Sequence, residues 1–146
     1  MKFEYEDGVV IEKPAEKSLT FTHAGKSLAF DETGKPKFVY DTGEEVVEFS
    51  GIAVGDTHDE SLAIARYRPL SASNLHEHHH HVEDYYILAG KAKVMVDGKA
   101  HMLSPGETIT IQSNQVHRVI NPSEDEPLML FVKCMPAWVP EDYHLV

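Results

Sequence analysis

Leu75-His76-Glu77-His78-His79-His80-His81-Val82-Glu83-Asp84-Tyr85-Tyr86-Ile87-Leu88-Ala89-Gly90 is the stretch from which the rest of the chain is read. Five of the chain's ten histidines fall in its first seven residues, and a β-prone apolar run follows at once. That continuation, in mid-chain, sets it apart from a purification tag. Side chains alternate faces along a strand, so His76 and His78 point the same way, about two rises of ~3.3 Å apart. Two imidazoles at that spacing can share one metal ion. Glu83, Tyr85 and Ile87 share a face of the next strand, and a hairpin from His78 to Glu83 brings the carboxylate beside the imidazoles. A fourth ligand has to come from elsewhere. His117, in the strand-like run Gln115-Val116-His117-Arg118-Val119-Ile120-Asn121, is the candidate. Three imidazole nitrogens and one carboxylate oxygen suit a divalent transition ion: Fe, Mn, Ni, Co, Cu or Zn. Held six-coordinate, such an ion keeps two positions open to water or substrate. Two other pairings, His78 with His80 and His79 with His81, stay open on alternation alone.

The spacings form two motifs. His76-Glu77-His78, four residues, Glu83, six residues and Gly90 make the first; Gly106, Gln112-Ser113-Asn114, His117 and Asn121 make the second. Together they resemble the paired motifs of the cupin superfamily, in the right order and over about residues 62–134. Three positions depart from the family pattern. Leu70 stands where an opening glycine is usual, Gln112 replaces a proline, and Asn114 replaces a glycine. Asparagine is the non-glycine residue that best tolerates a left-handed turn, so Asn114 can preserve the geometry. The resemblance implies an all-β fold, a cupin-type small β-barrel or double-stranded β-helix of jelly-roll-like form, with a single metal ion inside. It implies His76, His78, Glu83 and His117 as the ligands, because the other pairings fit the family spacing less well. It also implies a small single-domain (type 2) cupin over 1–146, with N-terminal strands and loops in 1–61, the motif-bearing core in 62–134 and a tail in 135–146. Metalloenzymes of dioxygenase, isomerase, decarboxylase or lyase type are expected from it, and the alternative is a non-catalytic metal-dependent binder or sensor of small molecules. A homodimer is expected on the same ground.

Composition excludes other classes. The 146 residues carry 13 Lys and Arg against 24 Asp and Glu, a formal charge of −11. Nucleic acid and anionic membrane surfaces both reward a basic face, so neither is the expected partner. The same charge points to a neutral or monoanionic small molecule as substrate. A lone cysteine, Cys134, rules out an intramolecular disulfide, the first residues lack a basic-then-apolar leader, and no apolar run approaches the ~18 residues of a membrane span. A cytoplasmic protein is the expectation.

Short β runs are expected at 19–23, 37–40, 45–49, 62–68, 84–88, 92–96, 108–112, 116–120 and 128–134, broken by turns at 31–34, 41–43, 90–91, 97–98, 104–106 and 121–123. Asp97-Gly98 is a two-residue hairpin signal. Alternation then supplies candidates around the metal. Tyr85 shares the face of Glu83 and is a candidate catalytic acid or orienting hydroxyl. Arg66, if inward, would bind a carboxylate or phosphate. Asn121 and His101 are further candidates for substrate contact. Cys134 reads as a buried, inert thiol, and Trp138 as an anchor for a tail packed on the outside.

Overall fold

The computed structural model describes residues 1–15, 18–31, 37–39, 42, 44–51 and 59–146. The expected turns at 31–34 and 41–43 lie largely outside these residues. Among the described residues each of the nine expected strands is found, and six more join them. In chain order the strands are β1 (Lys2–Glu4), β2 (Val10–Ala15), β3 (Ser18–His23), β4 (Lys26–Asp31), β5 (Lys37–Val39), β6 (Glu45–Ser50), β7 (Ser61–Tyr67), β8 (His76–Glu77), β9 (Val82–Ala89), β10 (Ala92–Val96), β11 (Lys99–Leu103), β12 (Thr108–Ile111), β13 (His117–Ile120), β14 (Leu128–Met135) and β15 (His144–Leu145). The fold is all-β and of jelly-roll type.

Three sheets stack. A six-stranded sheet, β12-β9-β14-β7-β6-β5, faces a five-stranded sheet, β11-β10-β13-β8-β15. Alternation builds the core between them: Ala65, Tyr67, Tyr85 and Ile87 from one side meet Val94, Val96 and Val119 from the other. The outer face of the six-stranded sheet is apolar as well. Leu62, Ile64, Tyr86, Leu88 and Phe131 there pack against Val9, Ile11, Leu19 and Phe21 of the N-terminal sheet β1-β2-β3-β4. Strands β1 to β4 are therefore a covering layer on that sheet. It is pinned by two hydroxyls: Tyr5 donates to the Ile87 carbonyl at 2.8 Å, and Tyr86 donates to Asp7 at 2.8 Å. This double coverage explains why Tyr85, Tyr86, Ile87 and Leu88 are buried in succession.

Turn chemistry follows the sequence closely. Asp97 and Gly98 have φ of 48° and 82° and close β10 onto β11 with Val96 opposite Lys99, as a type I′ hairpin requires. Asn114 has φ of 70°, so it takes the conformation of the glycine it replaces. Leu70, at the first motif's missing glycine, also has a positive φ, 60°, with its side chain 66% exposed. A left-handed leucine costs about 1–2 kcal/mol, partly offset in a glycine variant by the greater freedom of the unfolded chain. Leu70→Gly is thus expected to stabilise the protein by about 0.5–1 kcal/mol, seen as a higher midpoint in thermal denaturation. An unchanged or lower midpoint would contradict the strain.

Candidate metal centre

β8 and the turn after it carry His76 and His78, β9 opens with Glu83 as its second residue, and β13 begins with His117. His117 lies directly across from His76, and β9 sits on the facing sheet. All four side chains are buried, and their ligand atoms lie within 4.8 Å of one another. Glu83 Oε1 is 2.9 Å from His78 Nε2 and 3.0 Å from His117 Nε2.

The other ring nitrogens decide what these contacts mean. His76 Nδ1 lies 2.6 Å from the Asn74 carbonyl, His78 Nδ1 2.7 Å from the Asp142 carbonyl, and His117 Nδ1 2.8 Å from the Gln115 carbonyl. A carbonyl only accepts, so each Nδ1 carries the proton and donates. In a neutral ring Nε2 is then a lone pair, and those of His78 and His117 are turned toward the Glu83 carboxylate. Acceptors facing one another at 3 Å repel unless a cation lies between them, and one proton cannot serve three imidazoles and a carboxylate together. The donor set therefore fits a metal ion. For metal–ligand bonds of about 2.1 Å, two ligand atoms at right angles are about 3.0 Å apart, against about 3.4 Å in a tetrahedron. The 2.9 and 3.0 Å separations are short enough for one ion to bridge Glu83 to both rings.

Electrostatics without an ion follow the same geometry. Burial, then the neighbouring His117 ring, brings His76 down to about 4. Burial opposes charge on Glu83 also, but in the absence of an ion a proton shared with the His117 or His78 ring makes a hydrogen bond that holds its carboxyl well below the usual range. Burial works against charge on His78 too, yet Glu83 outweighs it and raises that ring.

The cluster forms one end of a cavity between the sheets, reached by Tyr67, Tyr85, Cys134, Trp138 and Tyr143. β6 and the residue before it add Glu44, Val46 and Glu48, alternating inward, to the lining. Tyr67 donates a hydrogen bond to Glu44 Oε2. Burial chiefly, with the charge of Glu83 adding and the Tyr67 hydrogen bond opposing, raises Glu44 to about 7. The folded chain therefore holds a proton there that the unfolded chain gives up near pH 4.3. That contribution to stability is whole below about pH 4.3 and is lost as pH rises through 7. In metal-free protein, Glu44→Gln should gain on the wild type by about 1–3 kcal/mol between pH 5 and pH 8, read as a thermal-midpoint difference. An equal difference at both pH values would contradict this.

Residues 63–133 match the family model described as a cupin domain. These residues are a cupin domain. Solved structures of similar fold include KdgF from Halomonas, with 16% identity, a TM-score of 0.61, and coverage of 73% of this chain and 89% of that one. Streptomyces PAC13, a structure with uridine, gives 12%, 0.66, 79% and 87%. Rru_A2000 from Rhodospirillum rubrum, a cupin-2 domain, gives 17%, 0.62, 75% and 79%. At these identities the likeness establishes the cupin fold. No curated protein sequence matches the chain.

The remaining expected site residues divide. Tyr85 faces the cavity, its hydroxyl 3.5 Å from Glu83 Oε1. Arg66 does not: Ala63, Ala65 and Tyr67 take the inner face of β7, which turns Arg66 outward to Glu45 at 3.9 Å. Asn121 is buried in a structural role. Its amide donates to the carbonyls of Tyr67, Arg68 and Glu126 while its oxygen accepts from Ser123 N. His101 is on β11, the edge strand, with β10 between it and His117 of β13. Cys134 is a buried thiol as expected, pushed up by burial and then by Glu83, but it lines the cavity. The tail does not simply pack outside, since Trp138 and Tyr143 are cavity wall. In the histidine run, His79 and His80 are exposed turn residues, whereas His81 is buried against the His78 ring at 4.1 Å between centroids. Glu44, Tyr67, Asp142 and Tyr143 were not anticipated as site residues. For Glu44 a signal existed: it shares the alternating face of apolar Val46, where an acid has no solvent to face.

Proposed function

We propose that this cupin is a mononuclear, divalent-metal-dependent enzyme acting on a small uncharged molecule. The observation that carries the reading is the convergence of four ligand atoms at a cavity whose other polar wall is acidic. Among the described residues, no lysine or arginine lines that cavity. A carboxylate or phosphate substrate would find Glu44, Glu48 and no guanidinium, so the monoanion allowed by the overall charge is disfavoured locally.

His76, His78, Glu83 and His117 hold the ion, and their Nδ1–H bonds to main-chain carbonyls fix the rings for it. When bound, the ion supplies Lewis acidity toward a substrate oxygen. Glu44, in the cavity lining and oriented by the Tyr67 hydroxyl, takes or returns a proton at its carboxylate oxygens. Tyr85 presents its hydroxyl beside Glu83 and orients a substrate acceptor. The aromatic faces of Trp138 and Tyr143 narrow the cavity and exclude water.

Cobalt substitution tests this. Azide is expected to shift the visible spectrum of the Co2+-loaded protein by entering an open position. An uncharged polyol or aldose should shift it at lower concentration than the aldonate of the same length. Preference for the aldonate would overturn the substrate class. A spectrum indifferent to azide and to every sugar would favour the second reading, in which a saturated ion braces a non-catalytic binder.

A further inference from the structure

The chain's last residues converge on the segment that carries two of the four ligands. Pro136 and Pro140 deny the tail a regular ladder, and Pro140–Asp142 form a single 3-10 turn that sets Asp142 beneath the histidine run. Asp142 is 3% exposed. Its Oδ1 accepts the His79 backbone N–H at 2.8 Å and its Oδ2 that of His80 at 2.9 Å. The ring nitrogens His81 Nδ1 and His144 Nε2 stand 3.4 and 3.3 Å from the same carboxylate. Its main-chain carbonyl takes the His78 Nδ1 proton at 2.7 Å. Next in the chain, Tyr143 lays its ring on His76, 4.6 Å between centroids and 26° between planes. β15 then pairs with β8, Leu145 opposite His76 and His144 opposite Glu77, and Val146 N donates to the Leu75 carbonyl.

We propose that residues 140–146 form a clasp that sets metal affinity, with Asp142 as its positioning residue. The proposal rests on the metal-site reading above. Two effects make the clasp specific to metal binding. The Asp142 carbonyl fixes the tautomer that leaves His78 Nε2 free as a ligand, and the carboxylate locks the turn from which His78 projects. Undocked, the tail releases both, and His76 loses its stacking partner. Linkage then requires the converse: an ion that needs His76 and His78 in place must hold the clasp shut.

The test uses the full chain and Co2+ as probe. Asp142→Asn keeps the carbonyl but puts an NH2 group among donor N–H groups. It should weaken Co2+ binding by about 10–100-fold, the range for partners of metal-bound histidines, and alter the cobalt spectrum at saturation. A merely structural aspartate would lower thermal stability equally with and without metal and leave affinity and spectrum alone. In the wild type, saturating Co2+ should slow chymotryptic cleavage after Trp138 and Tyr143 by at least about tenfold, with the fragments identified by mass; this reads the same linkage if the variant fails to fold. Wild-type affinity and spectrum in Asp142→Asn, or tail cleavage indifferent to bound Co2+, would overturn the clasp alone. A wild type that binds no Co2+ would overturn the metal site and the clasp with it.

Discussion

His117→Ala is expected to lower affinity for a divalent transition ion by at least about 100-fold, whereas His80→Ala should leave it within about twofold. The figure follows from dividing a structural-site binding free energy of about 10–16 kcal/mol among four ligands, which gives about 3 kcal/mol each. His117 is fully buried, and its Nε2 is 3.0 Å from Glu83. His80 is exposed, and its tie to the site is a backbone N–H that alanine keeps. Equilibrium competition with a chromophoric chelator reads both variants. Equal damage from the two would mean that the ligands are drawn from the wrong histidines.

The largest effect on stability is expected at Gly90, which ends the first motif. It has φ of +80°, and a Cβ there would stand 2.4 Å from the Pro127 carbonyl oxygen and 3.0 Å from Leu128 Cα. Both neighbours are backbone entering β14, so neither can swing aside as a side chain would. The left-handed penalty of about 1–2 kcal/mol and the cost of displacing a packed strand add to about 3 kcal/mol or more for Gly90→Ala. Gly98 supplies the control, since its φ is +82° yet nothing lies within 4 Å of a Cβ. Gly98→Ala should cost only about 1–2 kcal/mol. Urea denaturation distinguishes them, and equal costs would show that the close approach does not constrain the fold. The comparison also gives a physical reason for a glycine at this motif position: space at Gly90, conformation alone at Gly98.

What the sequence made legible was whatever depends on local alternation and spacing. His76, Glu83 and His117 lie on strands, where period-two alternation sets their faces, while His78 joins them from the turn after β8; the two motifs gave the pairing between strands far apart in the chain. The hairpin at Asp97-Gly98 and the left-handed Asn114 were legible for the same local reason. Arg66 shows where that reasoning stops. Alternation says that Arg66 and Tyr67 face opposite ways, but not which faces inward, and only the apolar covering of Leu62 and Ile64 by the N-terminal sheet settles it. Asn121 matched its motif position and still serves the loop rather than a substrate, because three carbonyls surround its amide. Asp142 was beyond reach. Its contacts join residues more than sixty positions apart through an irregular tail, and no periodicity encodes such a meeting.

The metal content of the tag-free full chain, after a mild chelator wash that strips exposed imidazoles, tests the central claim most directly. Plasma mass spectrometry should find about one divalent transition ion per chain, retained in His80→Ala and lost in His117→Ala. A wild type that comes through the wash with no ion, and takes up none when Co2+ is supplied, would contradict the site on which this reading of the cupin rests.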